Sequence, residues 1–343
     1  MRSVLYTSVL QTPVLLAGSL TILIYGLAKL GGWGELEAIV SAAQTPQGDS
    51  MLRLIRSPED PVFPWTGVLF ASPIIGFWYW CTDQYIVQRV LSGKNQREAR
   101  RGTIFGAYLK LTPVFIFLVP GTIAFALNRK GLMDLPDADA AFPVLVSTLL
   151  PAGMKGVVVG GLVAALMSSL ASLFNSSALL FTVDFYKKYR PEASERQLVH
   201  VGRLATAAVV VLGVLWIPVM RGMGQVLYAY LQDVQSLLAP GIAAVFLLGV
   251  FWRGANAAGA LAGLTAGFVL GMTRLACRIF ESSLDPAGLV HRWFVAPNWL
   301  HYCMFLFALS LTTIWLVSRA GEKPSDDKLR GLPDFPPRLR VLV

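Results

Sequence analysis

Long apolar stretches alternate with short polar ones along this chain, and each apolar stretch is about one bilayer in length. A hydrocarbon core of about 30 Å takes roughly 20 helical residues to cross. Eight stretches reach that length: 7–30, 64–90, 103–128, 155–184, 199–219, 225–252, 257–276 and 299–318. None alternates apolar and polar positions as a strand would. Backbone groups in lipid must bond within their own segment, so each stretch is predicted to be a helix. The expected fold class is an all-α integral membrane protein of about eight transmembrane helices. Its bundle would occupy 1–318, followed by a cytoplasmic tail over 319–343 rich in Pro, Asp and Arg.

The polar segments set the expected orientation. Loops at 91–101 and 186–197 carry Lys94, Arg97, Arg100, Arg101, Lys187, Lys188, Arg190 and Arg196, whereas those at 31–63 and 129–154 hold more acids, among them Glu35, Asp49, Asp134 and Asp137. Basic loops stay on the cytoplasmic side. Alternation then puts both termini in the cytoplasm, with the bundle in the plasma membrane or a bacterial inner membrane. The first stretch reads as a true helix, since its apolar run is too long for a leader and no small-residue cleavage pattern follows.

Composition narrows the function. Apolar residues make up 55% of the 343 and charged residues 14%, where a soluble chain carries roughly 25%. The net charge of +9 would suit a nucleic-acid partner, but the basic residues sit in short loops without an aromatic-studded face. Cys81, Cys277 and Cys303 show no paired spacing, and His200, His291 and His301 form no zinc motif. No nucleophile–base or metal constellation of a membrane-embedded enzyme is present.

Polar residues inside spans are costly and are read first as functional. Span two holds Trp78-Tyr79-Trp80-Cys81-Thr82-Asp83-Gln84, span three Lys110, span four Ser168, Ser169, Ser172, Asn175, Ser176 and Ser177, and span six Gln232, Asp233 and Gln235. Three readings of Lys110 stand side by side: an ion pair with Asp83 at a depth of roughly 10 Å, a donor to a bound solute, or a side chain snorkelling to the interface. The aromatic run suits the apolar C–H faces of a sugar ring, and equally suits core filling. The serine face can supply oxygen ligands to a hard cation, or hydrogen bonds between helices. Gly259, Gly263, Gly267 and Gly271 recur every four residues and predict close helix packing. Pro73, Pro120 and Pro240 are expected to interrupt their spans, either freeing carbonyls that line a cavity or simply kinking the helices.

At these positions the sequence resembles the sodium/solute symporter family, in particular its sodium–glucose cotransporter branch. The resemblance runs from Trp78 through Gln84, Val87-Gln88-Arg89 and Gly106 to Lys110. It continues through Ala165-Leu166-Met167-Ser168-Ser169-Leu170, Phe174-Asn175-Ser176 and Asp184, then Gln232 and Pro240 through Trp252. It implies a fold of two inverted five-helix repeats with sodium and solute near the midplane at broken helices. On that frame Tyr6 to Thr12 opens the last helix of the first repeat, spans two to six make the second repeat, and spans seven and eight are peripheral. The first helices of the first repeat would be absent, so a missing N-terminal part of the same transporter becomes an expected partner.

The resemblance also implies roles. The carbonyl of Ala165 with Ser168 and Ser169 would form half of a sodium site, making the sodium ion the cofactor. Tyr79 would stack on a sugar as an inner gate, with Trp80, Lys110 and Gln232 nearby and Gln235 as a further polar contact. The family's Tyr-Thr-Asp-x-Leu-Gln-Thr motif stands here as Tyr6-Thr7-Ser8-Val9-Leu10-Gln11-Thr12, so an acid on the cation route is replaced by Ser8, and Asp233 is a candidate to supply that charge. Gly76 stands where sugar-transporting members often have a polar residue. The expected activity is sodium-coupled symport of a sugar or similar small polar solute by alternating access. The alternative is a non-transporting fragment or split subunit of such a transporter.

Overall fold

The computed structural model describes residues 2–45, 48–222 and 227–329. The side chains of 2–8, 10 and 11, and residues 330–343, lie outside the described set, so most side chains of the motif at Tyr6–Thr12 and most of the expected tail are not placed. The described chain is helical, apart from turns and one isolated bridge between Gln44 and Ser50. Seven of its helices are long and apolar enough to cross a membrane: Thr12–Leu30, Gln96–Arg129, Ala152–Tyr189, Glu195–Met220, Leu227–Phe251, Ala257–Ile279 and Trp299–Ala320. The burial pattern is that of a lipid-solvated protein. Leu204, Leu212, Leu215, Leu261 and Phe268 are exposed, while Ser172, Ser176, Asp233, Ser236, Arg274 and Ser310 are buried. The protein is an integral membrane protein.

The remaining apolar stretch, 64–90, is divided. Helix α3 (Trp65–Phe77) runs into a π-helical turn, Trp78–Thr82, and Asp83 then leaves the helix with ψ 116°. The expected proline breaks also fall elsewhere. Pro73 and Pro240 lie inside continuous helices, and Pro120 opens one. The interruption in span three is at Lys110–Pro113, where proline lacks the N–H and disfavours helix in the residue before it.

The chain divides into two compact units, Met1–Arg53 with Gln88–Ile217, and Leu54–Val87 with Pro218–Val343. In the first unit, α1 (Arg2–Leu30) packs on the long serine-bearing helix that follows residue 151 and on the helix Val119–Arg129. Two segments read as loops are helical, α2 (Trp33–Ala42) and Ala141–Leu149. They bury Leu36, Val40, Leu145 and Val146 in one cluster with Ile22, Ile123, Leu127 and Val158. Lys130 donates from Nζ to the Leu30 carbonyl (3.1 Å) and pairs with Glu35 (2.6 Å), satisfying the carbonyl end of α1.

The second unit contains α3 and three helices from the end of the chain: Leu227–Phe251, Ala257–Ile279 and Trp299–Ala320. The glycine repeat does here what its spacing implies. A Cβ on Gly259 would strike Ser318 Oγ, one on Gly263 would strike Ile314 and lie 2.9 Å from the Ser310 carbonyl oxygen, and one on Gly271 would lie 2.6 Å from the Leu237 carbonyl oxygen. The helix Ala257–Ile279 therefore touches both neighbours backbone to backbone.

Candidate functional site

The aromatic candidates sit in the π-helical turn. Its cause is local: Thr82 Oγ1 donates to the Trp78 carbonyl (2.7 Å), and Asp83 N–H donates to the same oxygen (3.2 Å), an i→i+5 bond. A threonine hydroxyl in competition for a backbone carbonyl disturbs the regular ladder. Asp83 then accepts from Tyr85 N–H (3.0 Å) and opens α4 (Gln84–Leu91), so this acid has a capping task of its own. Single π-turns within α-helices concentrate at functional sites. Tyr79 is half-buried and Trp80 exposed, with ring centroids 5.1 Å apart in an edge-to-face arrangement. This turn packs against the helix Leu227–Phe251, which carries Gln232 and Gln235, both half-buried. The second unit thus brings four of the five solute candidates onto two adjoining elements.

The fifth, Lys110, belongs to the first unit. It is exposed and forms the C-cap of α5 (Gln96–Leu109), which starts at Asn95 with its side chain accepting from Glu98 N–H (2.9 Å). A cation at the carbonyl end of a helix is favourably placed.

The sodium candidates share a face of the first unit's helix Ala152–Leu180, which runs without a break through Ala165, Ser168 and Ser169. Its backbone carbonyls there already accept intrahelical bonds, so Ala165 has its second lone pair to offer. Ala165 and Ser168 are half-buried and Ser169 is exposed. The next serines along are committed differently. Arg89 Nη2 donates to Ser172 Oγ (3.0 Å), and Gln88 Nε2 donates to Ser176 Oγ (2.6 Å). Ser172 and Ser176 in turn donate to the carbonyls of Ser168 (3.1 Å) and Ser172 (2.9 Å). The serine cluster therefore separates into an inner pair that docks Gln88 and Arg89, and an outer pair, Ser168 and Ser169, on the face of Ala165. Sequence reading assigned Gln88 and Arg89 no role, although the i, i+4 spacing of Ser172 and Ser176 marks one face on which such donors can land.

Asp233 is 5% exposed and pairs with Arg278 (Nη2–Oδ2 3.5 Å).

Comparison with known proteins follows from this arrangement. The family model described as the sodium:solute symporter family matches residues 1–267. The chain is 38% identical to the sodium/mannose cotransporter SLC5A10 of Bos taurus, over 97% of this chain and 60% of that protein. It is 36% identical to the sodium/myo-inositol cotransporter 2 of Homo sapiens, over 98% of this chain and 54% of that protein. It is 35% identical to the sodium/glucose cotransporter 4 of Mus musculus, over 97% and 52%. The chain thus spans between 52% and 60% of the length of these relatives. On this evidence it belongs to the sodium:solute symporter family.

Proposed function

We propose that the protein works as a sodium-coupled secondary transporter for a sugar or cyclic polyol, and not as an enzyme. The observation that carries this reading is the aromatic π-turn at Tyr79 and Trp80 packed on the helix bearing Gln232 and Gln235. Such a pairing offers flat apolar faces beside amide donors and acceptors, which is the chemistry of a ring with C–H faces and hydroxyl edges. The relatives whose names record mannose, myo-inositol and glucose cotransport with sodium support the same class of solute. Lys110 adds a cationic donor. Ala165, Ser168 and Ser169 supply neutral oxygens for sodium. Coupling follows when ion and solute together favour one side of an outward–inward equilibrium, because ligands shift conformations through differential affinity.

Reconstituted in liposomes together with the first-repeat helices that the resemblance implies, the chain should take up tritiated myo-inositol, D-mannose or D-glucose when sodium is supplied outside. Ser169→Ala is expected to raise the half-saturating sodium concentration roughly tenfold, the value of one lost oxygen contact of about 1–1.5 kcal/mol. Tyr79→Ala and Gln232→Ala should weaken solute binding, while Tyr79→Phe keeps most of the stacking. Lys110→Ala should be produced in normal yield and bind solute about ten- to a hundredfold more weakly, the value of a charge-assisted bond. Sodium-independent uptake, or silence of both Ser168→Ala and Ser169→Ala, would overturn the assignment.

The proposed orientation places both termini in the cytoplasm of a plasma or inner membrane. A reporter fused after Gly93 or Lys188 should then read as cytoplasmic and one after Asp137 as external. A cytoplasmic signal at Asp137 would reverse it.

A further inference from the structure

Asp233 lies on the side of its helix turned away from the solute candidates. At 3.6 residues per turn, Gln232 and Gln235 are about 60° apart, and Asp233 points about 130° from their midline. It faces the helix Ala257–Ile279, whose register against Leu227–Phe251 is set by close contacts. A Cβ at Gly267 would lie 3.3 Å from Gly241 Cα, and one at Gly271 would lie 2.6 Å from the Leu237 oxygen. One turn further on, Asp233 meets Arg278 at 3.5 Å. Arg274 is fully buried beside them, its Nη2 donating to the Pro297 carbonyl (2.7 Å) and its guanidinium 4.2 Å above the Tyr302 ring. Asp233 Oδ1 and Arg274 Nε and Nη1 have no hydrogen-bond partner among the described residues.

The glycine contacts bring the two helices close but carry no directional hydrogen bonds. The Asp233–Arg278 pair adds a contact with a direction. Without it, Arg274 and Arg278, one turn apart on the helix Ala257–Ile279, are left with no carboxylate to offset their like charges. We propose that Asp233 is a positioning residue. Paired with Arg278, it holds the rotation of its helix and so aims Gln232 and Gln235 at the solute. This rests on the reading of those glutamines as solute contacts.

The test is equilibrium binding of tritiated myo-inositol, D-mannose and D-glucose to the full chain in nanodiscs, per monodisperse molecule, with sodium affinity measured separately without solute. Asp233→Asn is expected to weaken solute binding at least tenfold and to leave sodium affinity within twofold, since Ser168 and Ser169 lie on another helix. The exchange Asp233→Arg with Arg278→Asp should restore solute binding to within threefold. Unchanged solute binding in Asp233→Asn overturns the proposal, as does an equal loss of solute and sodium affinity, which marks general disorder. Where Asp233→Asn yields no monodisperse protein, the exchange decides: recovery supports the proposal, and a folded exchange variant with tenfold weaker binding overturns it. Gln232→Ala, run in parallel, separates the two levels. If it is silent, or if the unsubstituted chain binds none of the three solutes, the solute-face reading fails first and this proposal with it.

Discussion

Gly263→Val is expected to abolish recovery of folded protein. Its Cβ would strike the Ile314 side chain and sit 2.9 Å from the Ser310 carbonyl oxygen. The oxygen belongs to a helix backbone that cannot yield without separating the two helices along their length. Overpacking a tolerant core costs about 1–3 kcal/mol, and a backbone collision in a helix pair lies at or above the top of that range. Total stabilities of roughly 5–15 kcal/mol leave little margin for such a loss. Gly249→Ala is the matched control, because a Cβ there meets nothing within 4 Å. The measurement is the monodisperse fraction after detergent extraction. Equal recovery of both variants would mean that the glycine face is not a packing surface.

The second large effect is expected at Asn256. Its Oδ1 accepts from Gly259 N–H (2.8 Å), which starts the helix Ala257–Ile279, while Nδ2 donates to the carbonyls of Ser318 (3.2 Å) and Glu322 (2.9 Å) at the far end of Trp299–Ala320. A lost cap costs about 1 kcal/mol, and each lost hydrogen bond about 1 kcal/mol more. Asn256→Ala should therefore destabilise by about 2–3 kcal/mol, read as a lower midpoint in thermal melts of the solubilised protein. Asn256→Asp keeps the cap acceptor but cannot donate, so it should fall between the two. An Asn256→Asp midpoint at or below that of Asn256→Ala would show that the cap contributes nothing.

Some of this was legible before any coordinates. The glycine repeat announced its own use, because spacing by four on an apolar helix has few meanings other than close approach. Long apolar runs such as 199–219 and 299–318 announced helices for the same reason of length. What the apolar pattern could not register were the breaks. A hydropathy window averages over Thr82 and Asp83, although the pair is a helix-stopping and helix-starting signal by side-chain hydrogen bonding. Proline was overread at Pro73 and Pro240 and missed at Pro113, because whether a proline breaks a helix depends on whether neighbours satisfy the freed carbonyl. The acids at 31–63 and 129–154 suggested loops and hid two short helices, whose signal is the spacing of Leu36 with Val40 and the adjacent Leu145 and Val146. Among the site candidates, the serines looked alike in sequence. Their separation into docking and outward-facing pairs needed Gln88 and Arg89, about 80 residues away along the chain. The partner of Asp233 was hidden similarly, since Arg278 lies on a different helix.

The pairing of α3 with the last long helix has a consequence for biosynthesis. Asn298 and Trp299 donate to the carbonyls of Pro61 (2.7 Å) and Val62 (2.8 Å), Thr66 and His301 share a hydrogen bond of 2.8 Å, and Ala71 and Ile75 pack against Leu300 and Cys303. The hydrogen-bonded partners are separated by 235 to 237 residues. At about 5–20 residues per second, a ribosome needs roughly 10–50 s to travel between them. For that interval the nascent α3 sits in or beside the insertion channel with its closing partner still unmade. The Trp299–Ala320 segment acts as the latch of that unit, and translation speed across the intervening spans sets how long an open, adhesive intermediate is exposed to neighbouring nascent chains.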